Sequence, residues 1–368
     1  MKKRHEMAFD VSALPAYVNQ NSDELLMAAN YGFKTASLVS IQEGIKLTDA
    51  LQYLEVSPTR QAATCSLSAA GDAVFEQKTI TVVNLAYKIS LCMQDLLPKW
   101  TQRALPGGSN AEDEVFTFES DITANFLAKI AKDNEDAVWF STAGAGTFDG
   151  FGTIVDAGTT AGTITAGAFV SGIRYQIITV GTTDYTLIGA SANTVGVEFV
   201  STGVGAGTGT ALDMSISPVN GNSSKTTVAT GFTNANTFGL VQDVADAVPA
   251  ALKGDTELVN FVGYDVFDKY RRNLIDLNLF HESSVEGYSA VIPYTGIRIE
   301  GVAGLNGTNR MFLGKSSNLV LGADMQNEFE QAKSWFDENT DLTFLQVKFK
   351  MGTQVKFLAE MVQFTLVP

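Results

Sequence analysis

Two histidines, His5 and His281, are all the imidazole in the chain, and general acid–base, nucleophilic and metal chemistry lean heavily on that group. His5 falls in an amino-terminal arm and His281 follows a helix beside Glu282, so both are expected to be solvated or capping. Gly314-Lys315-Ser316 ends like a phosphate-binding loop, whose backbone wraps phosphates through a further glycine five positions earlier. That position is Asn309, and the nearest glycine is Gly307. The cluster from Gly203 to Gly209 lacks both the Gly-x-Gly-x-x-Gly spacing and a following helix, and no Gly-x-Ser-x-Gly nucleophile turn occurs. Asp243 and Asp246 read as solvated helix charge. Cys65 and Cys92 make neither a disulfide framework nor a metal site; both are expected to be reduced, with Cys92 a small buried residue on a strand. The residues capable of chemistry therefore predict no enzyme, no cofactor and no bound metal.

Composition limits what the rest of the chain can be. At 368 residues there is room for two or three compact units, and a hydrophobic content of 45% supplies a core. Charged residues make up 18%, below the roughly 25% usual for soluble chains, which points to surface hidden against neighbours. The formal charge of −15, from 40 Asp+Glu against 25 Lys+Arg, opposes a broad grip on phosphates. The one basic run, Lys2-Lys3-Arg4, sits at the amino end, so sequence-specific nucleic-acid binding is not expected. Neither the apolar core of a signal peptide nor a run approaching roughly 20 apolar residues is present, which predicts cytoplasmic synthesis and no membrane.

Along the chain, residues 1–44 alternate short helical patches (23–30) with polar joints and read as an arm that packs on other chains or on its own body. Residues 45–78 are polar, and two strands facing each other across Gly71-Asp72 would make a projecting hairpin. Val83, Leu85, Tyr87, Ile89 and Leu91 then alternate as one long strand. After Pro106-Gly107-Gly108 comes a helix with Ser109 or Asn110 as cap and Glu112, Asp113 and Glu114 at the positive end of its dipole. Val115, Phe118, Ile122, Phe126 and Ile130 recur at spacings of three and four and so share one face of it. Its expected extent is 111–139, ending at Trp139, and Phe148-Asp149-Gly150 forms a corner beyond it.

Residues 158–213 hold eleven of the 33 glycines and four charged residues, Arg174, Asp184, Glu198 and Asp213. Short β-rich runs broken by turns predict a small all-β unit inserted between that corner and about Ser215. Beyond it the expectations are a helix over 237–252 carrying Val241, Val244 and Val248, a strand over 257–264, and a helix capped by Asp265. Strands near 296–302 and 310–313 and a helix over 324–335 follow. Last come two long strands, Leu345, Val347 and Phe349 in the first, joined by a turn near Gly352.

The order of strand, long capped helix and Phe148-Asp149-Gly150 corner resembles the core of tailed-phage major capsid proteins, the Hong Kong 97-like shell fold. Leu91-Cys92-Met93-Gln94-Asp95-Leu96-Leu97-Pro98-Lys99-Trp100 is most similar to capsid proteins of crAss-like and related phages. The resemblance implies an α+β fold with an amino-terminal arm (1–44) and an extended loop (45–78). It implies a peripheral domain (79–147 and 329–368) built on the spine helix, an axial domain (148–157 and 214–328) and the β-rich insertion (158–213). It further implies that the chain self-assembles into pentamers and hexamers of an icosahedral virion shell and is made in a bacterial host. The shell would enclose double-stranded DNA without sequence-specific binding, with separate scaffolding, portal and decoration proteins as partners. Val115, Phe118, Ile122, Phe126, Ile130, Trp139, Phe148, Asp149 and Gly150 would be its structural and assembly residues. An encapsulin-like cargo shell and a tail-tube or baseplate protein are the alternatives.

Overall fold

The computed structural model describes residues 13–58, 60, 71–92, 118–160, 163–214, 218–221, 231–279, 285–324, 331–340 and 342–364. His5, Cys65, Trp100, the capping residues Ser109 to Glu114, Val115 and His281 lie outside them, as does the basic run at the amino end.

A strand of 14 residues, Leu342–Val355, organises the first of three main sheets. Along one edge it pairs antiparallel with Val83–Cys92, and along the other with Gln331–Asp337 and Leu319–Ala323 in succession. Ser40–Gln42 adds a short parallel strand to Leu319–Ala323. Leu345, Val347 and Phe349 are buried and alternate with half-buried Phe344, Gln346 and Lys348, the period of two that puts one face of a sheet in a core. That inner face is covered by helices Ala13–Gln20 and Ser22–Tyr31, through Leu14, Val18, Leu25, Leu26 and Ala29, and by the long helix Phe118–Phe140, through Phe126 and Ile130. Of the two options for the amino-terminal region, described residues 13–44 take the second and pack on their own chain.

A second sheet of seven strands centres on Leu258–Gly263, which is buried at every position. It lies between Arg298–Val302, parallel, and Met311–Lys315, antiparallel. Such a strand has no solvent face, hence a run that is apolar but for the buried Asn260. Val259 and Phe261 face the core that holds the long helix, while Leu258 and Val262 face helices Thr237–Asp246 and Tyr264–Asp276. A third sheet, of strands Thr163–Thr165, Thr210–Asp213, Arg174–Thr179 and Glu198–Val200 in that order, closes on a core of its own built from Phe169, Tyr175, Tyr185 and Phe199.

Several expectations are corrected. The long strand runs straight through Gly352, with no turn there. Gly352 and Gly322 face each other on adjacent strands; a Cβ on Gly352 would overlap the Thr81 carbonyl oxygen, and one on Gly322 would come 2.8 Å from Ile80 Cδ1. These glycines mark a close approach rather than a reversal. Residues 331–335, expected to finish a helix, lie in the strand Gln331–Asp337: Ala332 and Ser334 turn inward while Lys333 and Trp335 turn out, and ladder pairing with residues 342–348 outweighs local propensity.

The hairpin strands are Thr48–Pro58 and Gly71–Thr81, with Pro58 opposite Gly71, so the connection is residues 59–70 and not Gly71-Asp72. Proline has no N–H to extend the ladder. The helix from Thr237 stops at Asp246, ahead of Pro249, whose ring disfavours helical geometry before it. Asp265 sits in the first turn of its helix rather than at the cap, and the Tyr264 N–H donates instead to Asn306 Oδ1 at 2.6 Å. Cys92 is half-buried and free.

Phe126 is buried on the long helix and Lys132 is exposed, 3.9 Å from Asp136. In denaturant unfolding, Phe126→Ala should cost about 3–5 kcal/mol and Lys132→Ala less than about 0.5 kcal/mol. Equal effects would contradict the placement of the helix.

Candidate functional site

The carboxyl end of the long helix is where the chain's separate parts meet. Trp139 is fully buried, with its ring centroid 5.3 Å from that of Phe261, 5.6 Å from Phe312 and 5.8 Å from Phe151. Its indole N–H, which needs an acceptor once buried, donates to Thr35 Oγ1 at 3.0 Å. Thr35 in turn donates twice to Glu135, one helical turn before Trp139: from its hydroxyl at 2.7 Å and its backbone N–H at 2.9 Å. Asn134 donates to the Ala29 carbonyl at 2.8 Å. The amino-terminal helices are thus bonded to the long helix through buried polar groups.

Three glycines let other segments approach this end. A Cβ on Gly150 would lie 2.5 Å from the Trp139 carbonyl carbon, on Gly152 it would meet the Phe140 ring, and on Gly304 it would strike Trp139 Cδ1. The corner itself is a hydrogen-bonded turn. Gly150 N–H donates to Ser141 O at 2.9 Å, Thr153 Oγ1 to the same carbonyl at 2.8 Å, and Ser141 Oγ to the Phe148 carbonyl. Asp149 Oδ1 accepts from Ala143 N at 2.7 Å, and Thr353 Oγ1 donates to the Asp149 carbonyl, tying the corner to the long strand. Just beyond, Arg310 makes a two-pronged bond to Asp156, 2.6 Å on each arm, and lies over Phe140 and Phe312.

Of the residues named from sequence, Trp139, Phe148, Asp149 and Gly150 come together at this end. Ile122, Phe126 and Ile130 line the helix face toward the core; Phe118 opens the described helix, and Val115 is outside the described residues. Sequence reasoning missed Thr35, Glu135, Gly304 and Arg310. The one local signal was Glu135, four positions before Trp139 and so on its side of the helix.

The ionisable groups around the junction are engaged with groups of the chain itself. Burial pushes the Glu135 carboxyl above its ordinary value of 4.5, opposed by the bonds from Thr35 and Gly304, and its partners are structural. Burial and the Asp133 carboxylate push the Tyr87 phenol up as well; Tyr87 donates to Asp133 and stacks on Phe349. The Gly314-Lys315-Ser316 segment is tied to carboxylates, Lys315 to Asp255 at 3.0 Å and Ser317 to Glu257 at 2.7 Å, which would repel phosphate. Among the described residues no group of three or more His, Cys, Asp or Glu could hold a metal, and no helix is long and apolar enough to cross a membrane.

No protein-family model matches the chain, and no curated protein matches it. Among solved structures, one of the satellite phage P4 procapsid including size determination (Sid) protein aligns over 94% of this chain and 90% of its own, with a TM-score of 0.50 at 10% identity. The chain has a phage capsid fold. A structure of Microbacterium phage Oxtober96 aligns over 90% of both chains, with a TM-score of 0.49 at 13% identity. One of a virus-like particle from Pyrococcus furiosus aligns over 95% of this chain and 99% of its own, with a TM-score of 0.44 at 10% identity. In this chain the parts of that fold meet at the Trp139 junction.

The junction gives a pH-dependent expectation. A carboxyl whose folded pKa is raised contributes stability below its ordinary value, and that contribution is lost as pH rises from there through the raised value. Glu135→Gln should therefore melt at least as high as wild type at neutral pH and show less decline in melting temperature above about pH 4.5. Glu135→Ala, which strands the buried Thr35 N–H, should lose about 1–3 kcal/mol. A glutamine variant that is as damaged as the alanine variant would contradict the buried carboxylate.

Proposed function

We propose that the chain is a major capsid protein, a structural subunit that self-assembles through pentamers and hexamers into an icosahedral phage head enclosing double-stranded DNA. The observation that carries this reading is a phage capsid fold aligned over nearly the whole chain. Low charge and a long two-stranded ribbon add support, because such a ribbon is marginal alone in water and gains from a partner surface. In this reading the body built around Trp139 moves as a rigid unit and the ribbon of Thr48–Pro58 and Gly71–Thr81 lies across a neighbour. Identical subunits joined by a heterologous contact whose rotation closes make rings. Residues 1–44 serve as the arm, 79–147 with 329–368 as the peripheral domain, and 148–157 with 214–328 as the axial domain.

The four-stranded unit within 158–213, with its separate core, is an insertion carried on the outer face of the shell, where an element entering and leaving at nearby exposed points is tolerated. Scaffolding, portal and decoration proteins are separate partners. The location is the virion, and DNA is held without sequence-specific contact, consistent with a chain of charge −15.

Microscopy of the purified protein tests the reading: hollow icosahedral particles are expected, and tubes or discrete monomers would contradict it. Deleting residues 54–75 and closing the ribbon with a short turn keeps Leu51, Ile80 and Val82, which form a small core with Ile45 and Val320. That variant should remain folded, with an unchanged melting temperature, yet make no closed shells. Particles of wild-type size from it would remove the ribbon from the assembly mechanism.

A further inference from the structure

The first sheet has a long edge with nothing paired to it. All 10 residues of Val83–Cys92 pair with residues 342–351 of the long strand, and among the described residues no segment bonds to the other side of that strand. Every second residue of a strand aims its N–H and C=O at the same side, so this edge presents about ten unpaired backbone groups. Native sheets guard such an edge with proline, a bulge, an early end or a charge. This strand has no proline, and its register runs without a bulge. Its one charged side chain, Lys88, is turned back over the sheet and away from the edge. Lys88 Nζ stands 4.0 Å from the ring centroid of Phe344, on the long strand, and 5.0 Å from that of Trp335, one strand further in.

The apolar side of the same edge is incompletely covered. Leu345, Val347 and Phe349 on the long strand are buried, whereas Val83, Tyr87, Ile89 and Leu91, on the same face, are half-buried. The helix layer therefore stops short of the edge and leaves an apolar strip along it. On the opposite face Asn84, Ala86, Lys88 and Ser90 are exposed. The strand holds no acidic residue, and the Asp133 carboxylate beside it is engaged by Tyr87. In a chain of net charge −15, such a line is where two copies approach with least repulsion.

We propose that this edge joins two copies of the chain, strand against strand across a twofold axis at Tyr87, so that their first sheets become one. The contact builds on the shell-forming reading and adds a second kind of joint to it: a heterologous contact closes rings, and an isologous one links a ring to the next. Sheet geometry sets the register. A twofold axis perpendicular to the sheet keeps the helix-covered faces of both copies on one side, and directly opposed residues share a face, so odd positions oppose odd and even oppose even. An axis at Tyr87 pairs residues 83 to 91 of both strands. Val83 then meets Leu91, Leu85 meets Ile89 and Tyr87 meets its own copy on the apolar side, while Asn84 meets Ser90 and Ala86 meets Lys88 on the other. An axis one position on, at Lys88, sets two lysines side by side, which like charge disfavours.

The test uses the full chain with Cys65 and Cys92 replaced by serine, and single cysteines at two exposed positions, Asn84→Cys and Ser90→Cys. Opposed residues of an antiparallel pair lie about 4.5–5.5 Å apart, within disulfide reach. Position 84 of one copy, by contrast, lies roughly 20 Å from position 84 of the other in this register. A co-assembled mixture of the two variants, mildly oxidised, should give disulfide-linked dimers, and either variant alone roughly tenfold less. A mixture of Ala86→Cys with Lys88→Cys should cross-link as well, and keeps the test decisive if a variant of the first pair melts at a lowered temperature. Particles in which neither mixture cross-links overturn the edge contact and leave the shell reading standing, as they would if a different strand lay along the edge. Single variants that cross-link as well as the mixture overturn it too, because they show chance collision and not a register. Mixtures that cross-link in solution while wild-type protein forms no particles uphold the edge contact and overturn the shell reading.

Discussion

The burial of one indole governs how this chain folds. Trp139 brings a large apolar surface and a single polar atom into the core, and that N–H must find an acceptor there. Thr35, a hundred residues earlier, supplies it and is itself held by Glu135. The amino-terminal helices are therefore fastened to the long helix by bonds that water cannot replace. Phe261 and Phe312 bring the central strands of the second sheet against the same ring. Gly150 and Gly304 keep the corner and the turn after Arg298–Val302 close enough to shut water out. Removing a buried aromatic of this kind costs about 3–5 kcal/mol, a large share of the 5–15 kcal/mol by which domains are stable.

A second constraint governs the part that projects. Facing glycines at positions 322 and 352 make a trough in the first sheet into which the base of the hairpin fits. Beside it Lys350 and Asp324 form an ion pair at 2.8 Å, with side chains 6% and 2% exposed, and Lys350 also donates to the Lys46 carbonyl at 2.9 Å. Breaking a buried pair by removing one member typically costs about 3–5 kcal/mol, so the point from which the ribbon springs is fixed.

Much of this was legible in the sequence where periodicity is local. Phe126, Ile130 and Trp139 follow the helical repeat, Leu345, Val347 and Phe349 the strand repeat, and Phe148-Asp149-Gly150 marks a corner through its glycine. The failures have particular causes. Gly352 reads as a turn because a glycine needed for close approach looks, in one dimension, like one needed for a reversal. Residues 331–335 read as helix because what makes them a strand is pairing with residues 342–348. Thr35 left no trace, since a threonine that completes a buried network from a hundred residues away resembles any other threonine.

Native-state hydrogen exchange at the Thr35 and Gly150 amides tests the central claim most directly. Thr35 N–H is bonded to buried Glu135, and Gly150 N–H to Ser141 O beneath the Trp139 backbone. If the junction holds the chain together, both amides should exchange only as slowly as the central strand Leu258–Gly263, through global unfolding. Exchange at Thr35 as fast as in exposed turns, while that strand stays protected, would show that the amino-terminal helices open independently and that Trp139 does not hold the parts together.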